Sequence, residues 1–366
     1  MTVRADAPGA ARTWTGRRAR RLLASAALAV LVAAGGGAWW AVSRDGAHPG
    51  VGGANSGSPT AHGSAPALPA DPRAEVHQAA PTLGAYVGPA SLETARAVDR
   101  QLGWRVTYVL DFLPKVTWAS MLDITWLVKA WAGSGFHVVL GVPMLPSGGA
   151  TLEQGAAGAY DGQFTELATK LVEGGLADAT LMVGWQPDDP GNTWYVSSAA
   201  AAREYVGYWR RIHAAMESVP GSRFTFEWDA GDAGTSPVSP PAMYPGNAVV
   251  DLVATDAFDT AAPGSAPASQ WPGVLDEPYG PAWMRSFALA HHEPMAIAMA
   301  AEVPRDAHGS GDDPTYLAGL LSWAASSHLR YCMLWDYGPS TLTGGGFPES
   351  LAVLQRAIAS EGTPAS

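Results

Sequence analysis

Two features of this 366-residue sequence predict an α/β protein whose main domain is a (β/α)8 (TIM) barrel. First, short apolar runs alternate with helix-length segments from Thr82 onward, the pattern of repeated βα units around a parallel sheet. Second, eight such runs fall within about 280 residues, and barrels of this kind typically have about 250. An open doubly wound sheet is the alternative, but no glycine-rich phosphate loop follows the first run.

The eight apolar runs predict the strands and their order. They are Leu83–Val87, Val106–Asp111, His137–Val142, Thr180–Trp185, Arg223–Trp228, Val249–Asp256, Met295–Glu302 and Tyr331–Asp336.

Segments with apolar residues three or four positions apart predict the helices. They are Leu92–Leu102, Met121–Trp131, Phe164–Glu173, Ala199–Ser218, Pro281–His291, Tyr316–Ser326 and Pro348–Ala359. No helix is evident after the fifth run, and the Gly/Pro/Ala/Ser-rich stretch Thr260–Gln270 predicts a long loop.

The N-terminal segment predicts export. Four arginines between residues 17 and 21 precede an uncharged run, Leu22–Val42, which at about 1.5 Å per residue is long enough to cross a bilayer of about 30 Å. Its most apolar part, Leu22–Ala34, has signal-peptide length, so a retained membrane anchor and a cleaved signal both stay open. The arginines are expected in the cytoplasm and the chain after Arg44 outside, at the cell membrane or secreted.

Residues 43–81 are rich in Gly, Ala, Pro and Ser, which predicts a disordered linker. The expected organisation is a cytoplasmic basic segment at 1–21, a transmembrane anchor or signal peptide at 22–42, the linker at 43–81, the barrel at 82–360 and a tail at 361–366.

The charge distribution restricts the partners. Residues 1–50 carry a net charge of +5, which leaves −16 on the rest of a chain whose total is −11. Because so acidic an exported domain should repel nucleic acid and anionic polymers, we expect a neutral partner. We also expect a monomeric protein. Cys332 is the only cysteine and lies in an apolar run, which favours a small buried residue over a reactive thiol.

Carboxylates follow the predicted strands at the end where TIM barrels carry out their chemistry. Helix capping or pairing with arginine explains a single acid at such a position, but not seven. The seven are Asp111, Glu227, Asp229, Asp256, Asp259, Glu302 and Asp336.

Aromatic residues cluster at the same ends, and flat rings together with carboxylates suit neutral sugars. Core packing is the alternative for each ring. The aromatic residues are Tyr86, Trp118, Trp185, Trp194, Tyr195, Trp228, Trp271 and Trp335. For Trp118, Trp194 and Trp271, which fall in predicted loops, we expect ligand contact.

A retaining glycosidase needs two carboxyl groups roughly 5 to 5.5 Å apart. Glu302 closes the most apolar run, where a desolvated nucleophile is plausible. Gln186, however, directly follows the fourth run, and its amide can neither donate a proton to a leaving alkoxide nor accept one from water.

The sequence resembles glycoside hydrolase family 26, the β-mannanase-type retaining enzymes on a (β/α)8 barrel. Residues 182–195, MVGWQPDDPGNTWY, are similar to the family's R-x-G-W-E-x-N-G-x-W-Y-like segment, in which the Glu is the acid/base, and AEVP at 301–304 is similar to its P-E-W-G-like nucleophile segment. Further similarities are GVPMLP at 141–146, the segment 202–229, YPGNAVVDLVATDAFD at 244–259 and GDDPTYLAGLLSWAASS at 311–327. The resemblance therefore covers nearly all of 82–360.

The resemblance implies that Glu302 holds the nucleophile position and Gln186 the acid/base position, with Met182 where the family has Arg. Loss of the acid costs about 10²–10⁴-fold in rate. We therefore expect a protein that binds a neutral β-linked, mannan-type polysaccharide with lost or weak hydrolysis. The expected substrate-binding residues are Trp185, Trp194, Tyr195, Trp228, Asp256, Asp259, Trp335, Asp111, Trp118 and Trp271.

Hydrolysis survives in two alternatives. In the first, Asp188 or Asp189 replaces the missing acid of an active retaining endo-glycosidase, unless the two residues only shape a turn. In the second, the enzyme acts on glycosides whose aglycone leaves without protonation. The sequence predicts no cofactor and no metal site, because its nine histidines are scattered and no H-E-x-x-H or paired-cysteine spacing occurs.

Overall fold

The computed structural model describes residues 81–103, 106–231, 237–260, 271–305 and 309–359. Eight parallel strands form a closed barrel in chain order, which confirms the predicted (β/α)8 architecture. The strands are β1 (Leu83–Tyr86), β2 (Tyr108–Phe112), β3 (His137–Val142), β4 (Thr180–Val183), β5 (Thr225–Asp229), β6 (Leu252–Asp259), β7 (Met295–Glu302) and β8 (Cys332–Trp335).

Helices surround the barrel. They are α1 (Leu92–Leu102), α2 (Trp118–Leu122), α3 (Thr125–Trp131), α4 (Leu152–Ala156), α5 (Asp161–Glu173), α6 (Ala199–Glu217), α7 (Trp271–Asp276), α8 (Pro281–His291), α9 (Pro314–Ser326) and α10 (Pro348–Ala359). Single helical turns lie at Pro240–Met243, Gly338–Ser340 and Leu342–Gly346.

Among the predicted elements whose bounds differ from the structure, two differ for identifiable reasons. The predicted helix Met121–Trp131 is two helices, because Thr117 caps an earlier start in a capping box with Ser120 and the chain breaks at Asp123. Strand β6 begins three residues later than predicted and extends to Asp259, since the residues around Val249 form a turn closed by a hydrogen bond to the Gly246 carbonyl.

Both faces of the strands are buried, one against the barrel interior and the other against the helices. Inside, the rings of Tyr108 and Tyr331 lie 4.9 Å apart. The Tyr331 hydroxyl donates a hydrogen bond to Glu227, and burial raises the pKa of this carboxyl to about 8. Gly84 makes room for this layer, because a Cβ there would lie 2.7 Å from the sulfur of Met333.

Interior positions recur at every second residue along each strand. Tyr331, just before β8, and Met333 and Trp335 in β8 face the interior, so Cys332 faces the helices. It is fully buried there, and burial raises its thiol pKa to about 12.

Several predictions fall outside the described residues. These are the basic segment 1–21, the anchor or signal segment 22–42, all of the linker before residue 81, residues 261–270 of the predicted loop, and the tail. Within the ranges that are described, no helix combines the length and the apolar character needed to cross a membrane.

Candidate functional site

Four aromatic rings meet at the carboxyl ends of the strands. Tyr86 ends β1, Phe112 ends β2, Trp335 ends β8, and Trp185 follows β4. The ring centroids of Tyr86 and Trp335 are 4.2 Å apart, and those of Phe112 and Trp185 are 5.0 Å apart. Tyr86 and Trp185 are buried, whereas Phe112 and Trp335 are half-buried. The mouth of the barrel therefore offers two accessible rings on a packed aromatic base, which we call the aromatic floor.

Gln186 and Asp256 form a polar pair at the same face. The side-chain Nε2 of Gln186 donates a hydrogen bond of 2.5 Å to Oδ2 of Asp256. Gln186 follows β4 and Asp256 lies in β6, so the bond passes over the end of β5. The carboxylate is buried and the amide is partly exposed, so the amide is the part of the pair that a ligand can reach.

The backbone of Gln186 has an unusual conformation. Its φ is +48°, a left-handed value that non-glycine residues rarely adopt and that costs about 1 kcal/mol or more. Its carbonyl accepts hydrogen bonds from Nδ2 of Asn192 and from the backbone N–H of Asp189, both at 3.1 Å. The indole of Trp194 donates to the neighbouring Trp185 carbonyl at 2.8 Å. The loop from residue 186 to 196 thus holds Gln186 in place through several hydrogen bonds.

Asp188 and Asp189 are both buried inside this loop. The Asp188 carboxylate lies against Gly231, just after β5, where an added Cβ would overlap it. Oδ1 of Asp189 accepts a hydrogen bond of 2.5 Å from the backbone N–H of Gly191, the contact expected of a residue that shapes a turn.

Glu302 lies on the helix side of its strand. Its Oε2 accepts a hydrogen bond of 2.9 Å from the backbone N–H of Asp313, the N-cap residue of α9. Burial raises its pKa to about 8, against the opposing effect of the hydrogen bond from the Asp313 backbone. In the pairing of β6 with β7, Asp256 lies beside Met299 and Asp259 lies beside Glu302. Glu302 is therefore three positions further along β7 than the neighbour of Asp256. Because side chains alternate along a strand, its side chain lies on the opposite face from that of Asp256. The structure therefore does not bring Glu302 and Gln186 together.

Asp259 shares this environment. Burial raises its pKa to about 7, and the negative charge of nearby Asp313 acts in the same direction. Both acids belong to a group of polar side chains at the start of α9, separate from the pair formed by Gln186 and Asp256.

Asp111 also faces the helices. Its carboxylate accepts hydrogen bonds from the indole of Trp131 in α3 at 2.9 Å and from the backbone N–H groups of Ala90 and Phe112. Burial raises its pKa to about 6 despite these three donors. Asp111 therefore anchors α3 and the loop after β1, while the next residue, Phe112, faces the barrel axis.

The remaining predicted acids have structural contacts. Oδ1 of Asp229, at the end of β5, accepts from the Gly231 backbone at 3.0 Å. Asp336, after β8, accepts from the backbone and hydroxyl of Thr343.

Two of the aromatic residues predicted to contact a sugar, Trp194 and Trp228, have their rings buried against other aromatic rings. Trp194 is fully buried against Trp185, with centroids 4.8 Å apart. Trp228 is buried against Tyr244 and Phe287. Tyr195 is half-buried and donates its backbone N–H to the Asn192 carbonyl.

The prediction that Trp118 and Trp271 lie in loops is wrong. Trp118 begins α2, capped by Thr117, and packs on Tyr160 at 5.1 Å. Trp271 begins α7 and is buried against α9, where an added Cβ on Gly319 would overlap the indole. Both indoles fill gaps between helices.

Sequence reasoning missed Phe112, Lys115 and Asn192. Phe112 follows Asp111 at the end of β2. Because side chains alternate along a strand, knowing which residues of β2 face the barrel axis would have identified Phe112 as a residue of the site. Lys115 gave no signal, because its partner Asn192 is 77 residues away in the sequence. Among the described residues, no three His, Cys, Asp or Glu side chains are grouped so as to hold a metal ion.

The barrel has the fold of solved family 26 glycoside hydrolases. A β-mannanase from a symbiotic protist of the termite Reticulitermes speratus, solved with a gluco-manno-oligosaccharide, superposes with a TM-score of 0.51 at 15% identity over 77% of this chain and 87% of its own. A modular endo-β-1,4-mannanase from Cellulomonas fimi superposes with a TM-score of 0.55 at 16% identity, over 78% of this chain and 71% of its own. GH26C from a Muricauda species superposes with a TM-score of 0.52 at 14% identity, over 78% of this chain and 89% of its own.

At these identities the likeness concerns the fold. No family model matches the sequence, and no curated protein matches it. The activity must therefore be argued from the site.

Proposed function

We propose that this protein binds a neutral β-linked, mannan-type polysaccharide at the carboxyl end of its barrel, with lost or weak hydrolysis. The likeness to mannanase structures supports the ligand class, and one of those structures contains a gluco-manno-oligosaccharide. The acidic balance after residue 50 favours an uncharged ligand.

The hydrogen bond between Gln186 and Asp256 carries the proposal. An amide donates hydrogen bonds to sugar oxygens but cannot transfer a proton to a leaving group. Glu302, the resemblance-derived nucleophile, is engaged by the N-terminus of α9. A retaining pair of carboxyl groups roughly 5 to 5.5 Å apart is thus not formed by these two positions.

The aromatic floor also favours the binding of a sugar. The half-buried rings of Phe112 and Trp335 lie 6.2 Å apart, and Phe112 packs at 5.0 Å on Trp185, the residue before Gln186. Sugar rings place their C–H faces on such surfaces and their hydroxyls on neighbouring polar groups. This combination suits binding and requires no proton transfer.

Retardation of the purified protein in a native gel containing mannan tests binding. We expect mannan to retard the wild-type protein. The affinity for mannan, taken from the dependence of mobility on mannan concentration, should be roughly tenfold weaker in Phe112→Ala and in Trp335→Ala. Trp126→Ala, which removes a half-buried indole from α3, is the matched control and should migrate like wild type. Unchanged mobility of the wild type across a panel of β-glycans contradicts the proposal.

An active retaining endo-glycosidase with Glu302 as nucleophile and Asp188 or Asp189 as acid/base is the second candidate. The observation in its favour is that both aspartates lie in the same loop as Gln186. Sugar release from mannan distinguishes the two: turnover by the wild type that disappears in Glu302→Ala and in Asp188→Asn or Asp189→Asn supports hydrolysis. Release only after Gln186→Glu supports a binding protein that has lost its acid.

We also propose that residues 22–42 place the barrel outside the cell, as a single-pass anchor or as a cleaved signal, and that the barrel is monomeric. Membrane fractionation with external protease treatment tests the location, because an exported barrel is digested in intact cells. The mature N-terminal sequence separates the anchor from the cleaved signal. Sedimentation at several concentrations tests the monomer.

A further inference from the structure

We propose that Lys115 is a positioning residue that acts through Asn192 on Gln186, so that the Gln186 amide is presented to Asp256 and to a bound sugar. The last part rests on the proposed function. The first part, control of the Gln186 conformation, does not.

Lys115 lies between β2 and α2 and reaches the loop after β4. Its ammonium donates hydrogen bonds to Oδ1 of Asn192 at 2.8 Å and to the Gly191 carbonyl at 3.3 Å. It also lies 5.5 Å from the centre of the Trp194 ring. One cation therefore contacts three residues of the loop that holds Gln186.

The ammonium determines which way the Asn192 amide faces. Lysine has only donors, so the Asn192 oxygen must face it and the NH2 group must face away. Nδ2 then donates to the carbonyls of Trp185 at 3.3 Å and Gln186 at 3.1 Å. Since Asn192 is buried, water cannot easily replace these bonds.

The Gln186 backbone needs such support because its φ of +48° is unfavourable for a residue with a side chain. Two donors hold its carbonyl, and Asn192 supplies one of them. If this carbonyl rotates, the side chain leaves the position from which it donates to Asp256.

Lys115 is itself well anchored. Its carbonyl accepts from the backbone N–H of Ser147 at 2.8 Å, which ties it to the loop after β3. Burial lowers its ammonium pKa, while the Coulombic effect of Asp189 raises it. A desolvated cation is kept here because its hydrogen bonds offset the cost of burial.

The test follows the side-chain amide signal of Gln186 by NMR with selective ¹⁵N-glutamine labelling, assigned through its loss in Gln186→Glu. We expect Lys115→Met and Asn192→Asp to move this signal. Asn192→Asp keeps an oxygen for Lys115 but removes the donor to Gln186. Lys115→Arg keeps a charged donor, so its Gln186 signal should stay at the wild-type position. Lys129→Met, which removes an exposed lysine from α3, should also leave the signal unchanged.

Binding of a manno-oligosaccharide and the unfolding midpoint are measured on the same variants. We expect roughly tenfold weaker binding for Lys115→Met, the loss of about one charged hydrogen bond. A purely structural lysine would lower the midpoint without moving the Gln186 signal of the folded protein, which overturns the positioning role. If the wild type binds no glycan, the proposed function fails, and the NMR signal still decides the positioning role. If the signal moves and affinity does not, the functional half fails.

Discussion

Individual side chains decide the chemistry of this barrel through the direction in which they face. Glu302 and Ala301 are neighbours at the end of β7, and their side chains lie on opposite faces of the strand. The acid contacts α9 and the alanine faces the barrel mouth. One position therefore separates a structural carboxylate from a potential nucleophile, and the same holds for Asp111 and Phe112 on β2.

Glu302→Gln provides a test at the scale of the residue. The pKa of Glu302 is about 8 in the folded protein and 4.5 ordinarily, so between pH 4.5 and 8 the folded state holds a proton that the unfolded state has lost. The protonated Glu302 side chain therefore makes its full contribution to the free energy of unfolding below pH 4.5. This contribution is lost as the pH rises to 8, by at most about 1.4 kcal/mol per pH unit. Glu302→Gln should flatten this dependence, as measured by urea unfolding at several pH values.

Glu173→Gln, an exposed carboxylate at the end of α5, is the control for this measurement and should keep the wild-type slope. An unchanged slope in Glu302→Gln contradicts the buried, protonated state. A loss of mannan hydrolysis with an unchanged slope favours the nucleophile instead.

Four of the described helices begin after a residue whose side chain accepts a hydrogen bond from a backbone N–H of the first turn. Ser198 precedes α6, the longest helix among the described residues, and its hydroxyl accepts from the Ala201 backbone at 3.1 Å. This helix packs behind β4 and reaches the site directly, because the Tyr205 hydroxyl donates to the Gly184 carbonyl at 3.0 Å. A defined start of α6 therefore contributes to the position of the loop that carries Gln186.

Ser198→Ala should lower the free energy of unfolding by about 1 kcal/mol, since it removes the N-cap acceptor. Ser197→Ala, one position earlier, is exposed and is the matched control. Denaturant unfolding measures both, and equal stability of the two variants argues against the cap.

The whole molecule depends on close packing within the barrel, where the small residue Gly84 of β1 leaves room for large side chains from the two flanking strands, β2 and β8. At Gly84 an added methyl group would lie 2.7 Å from the Met333 sulfur and 2.9 Å from Cβ of Tyr108. This layer underlies the aromatic floor, because Met333 is followed two positions later by Trp335. Strain here is transmitted upward, since protein interiors repack only slightly.

Gly84→Ala should destabilise the protein by about 1–3 kcal/mol through overpacking. Gly162→Ala in α5, where an added Cβ meets nothing within 4 Å, should instead stabilise it by roughly 0.5–1 kcal/mol. Thermal unfolding of the two variants checks the contrast. Equal shifts in the same direction would show that interior space at Gly84 is not limiting.

The sequence by itself determined the barrel, the number and order of its strands and the position of Gln186 after β4, because these depend on apolar runs and their spacing. Only the tertiary structure decided which strand-end residues face the axis. Strands of a parallel barrel are buried on both faces and read as continuous apolar runs, so the phase of their alternation is hidden. In β7 the register also shifts opposite Thr255 and Asp256, which changes the phase within the strand. For this reason Glu302 was expected to face Gln186, whereas folding gave Gln186 Asp256 as its partner.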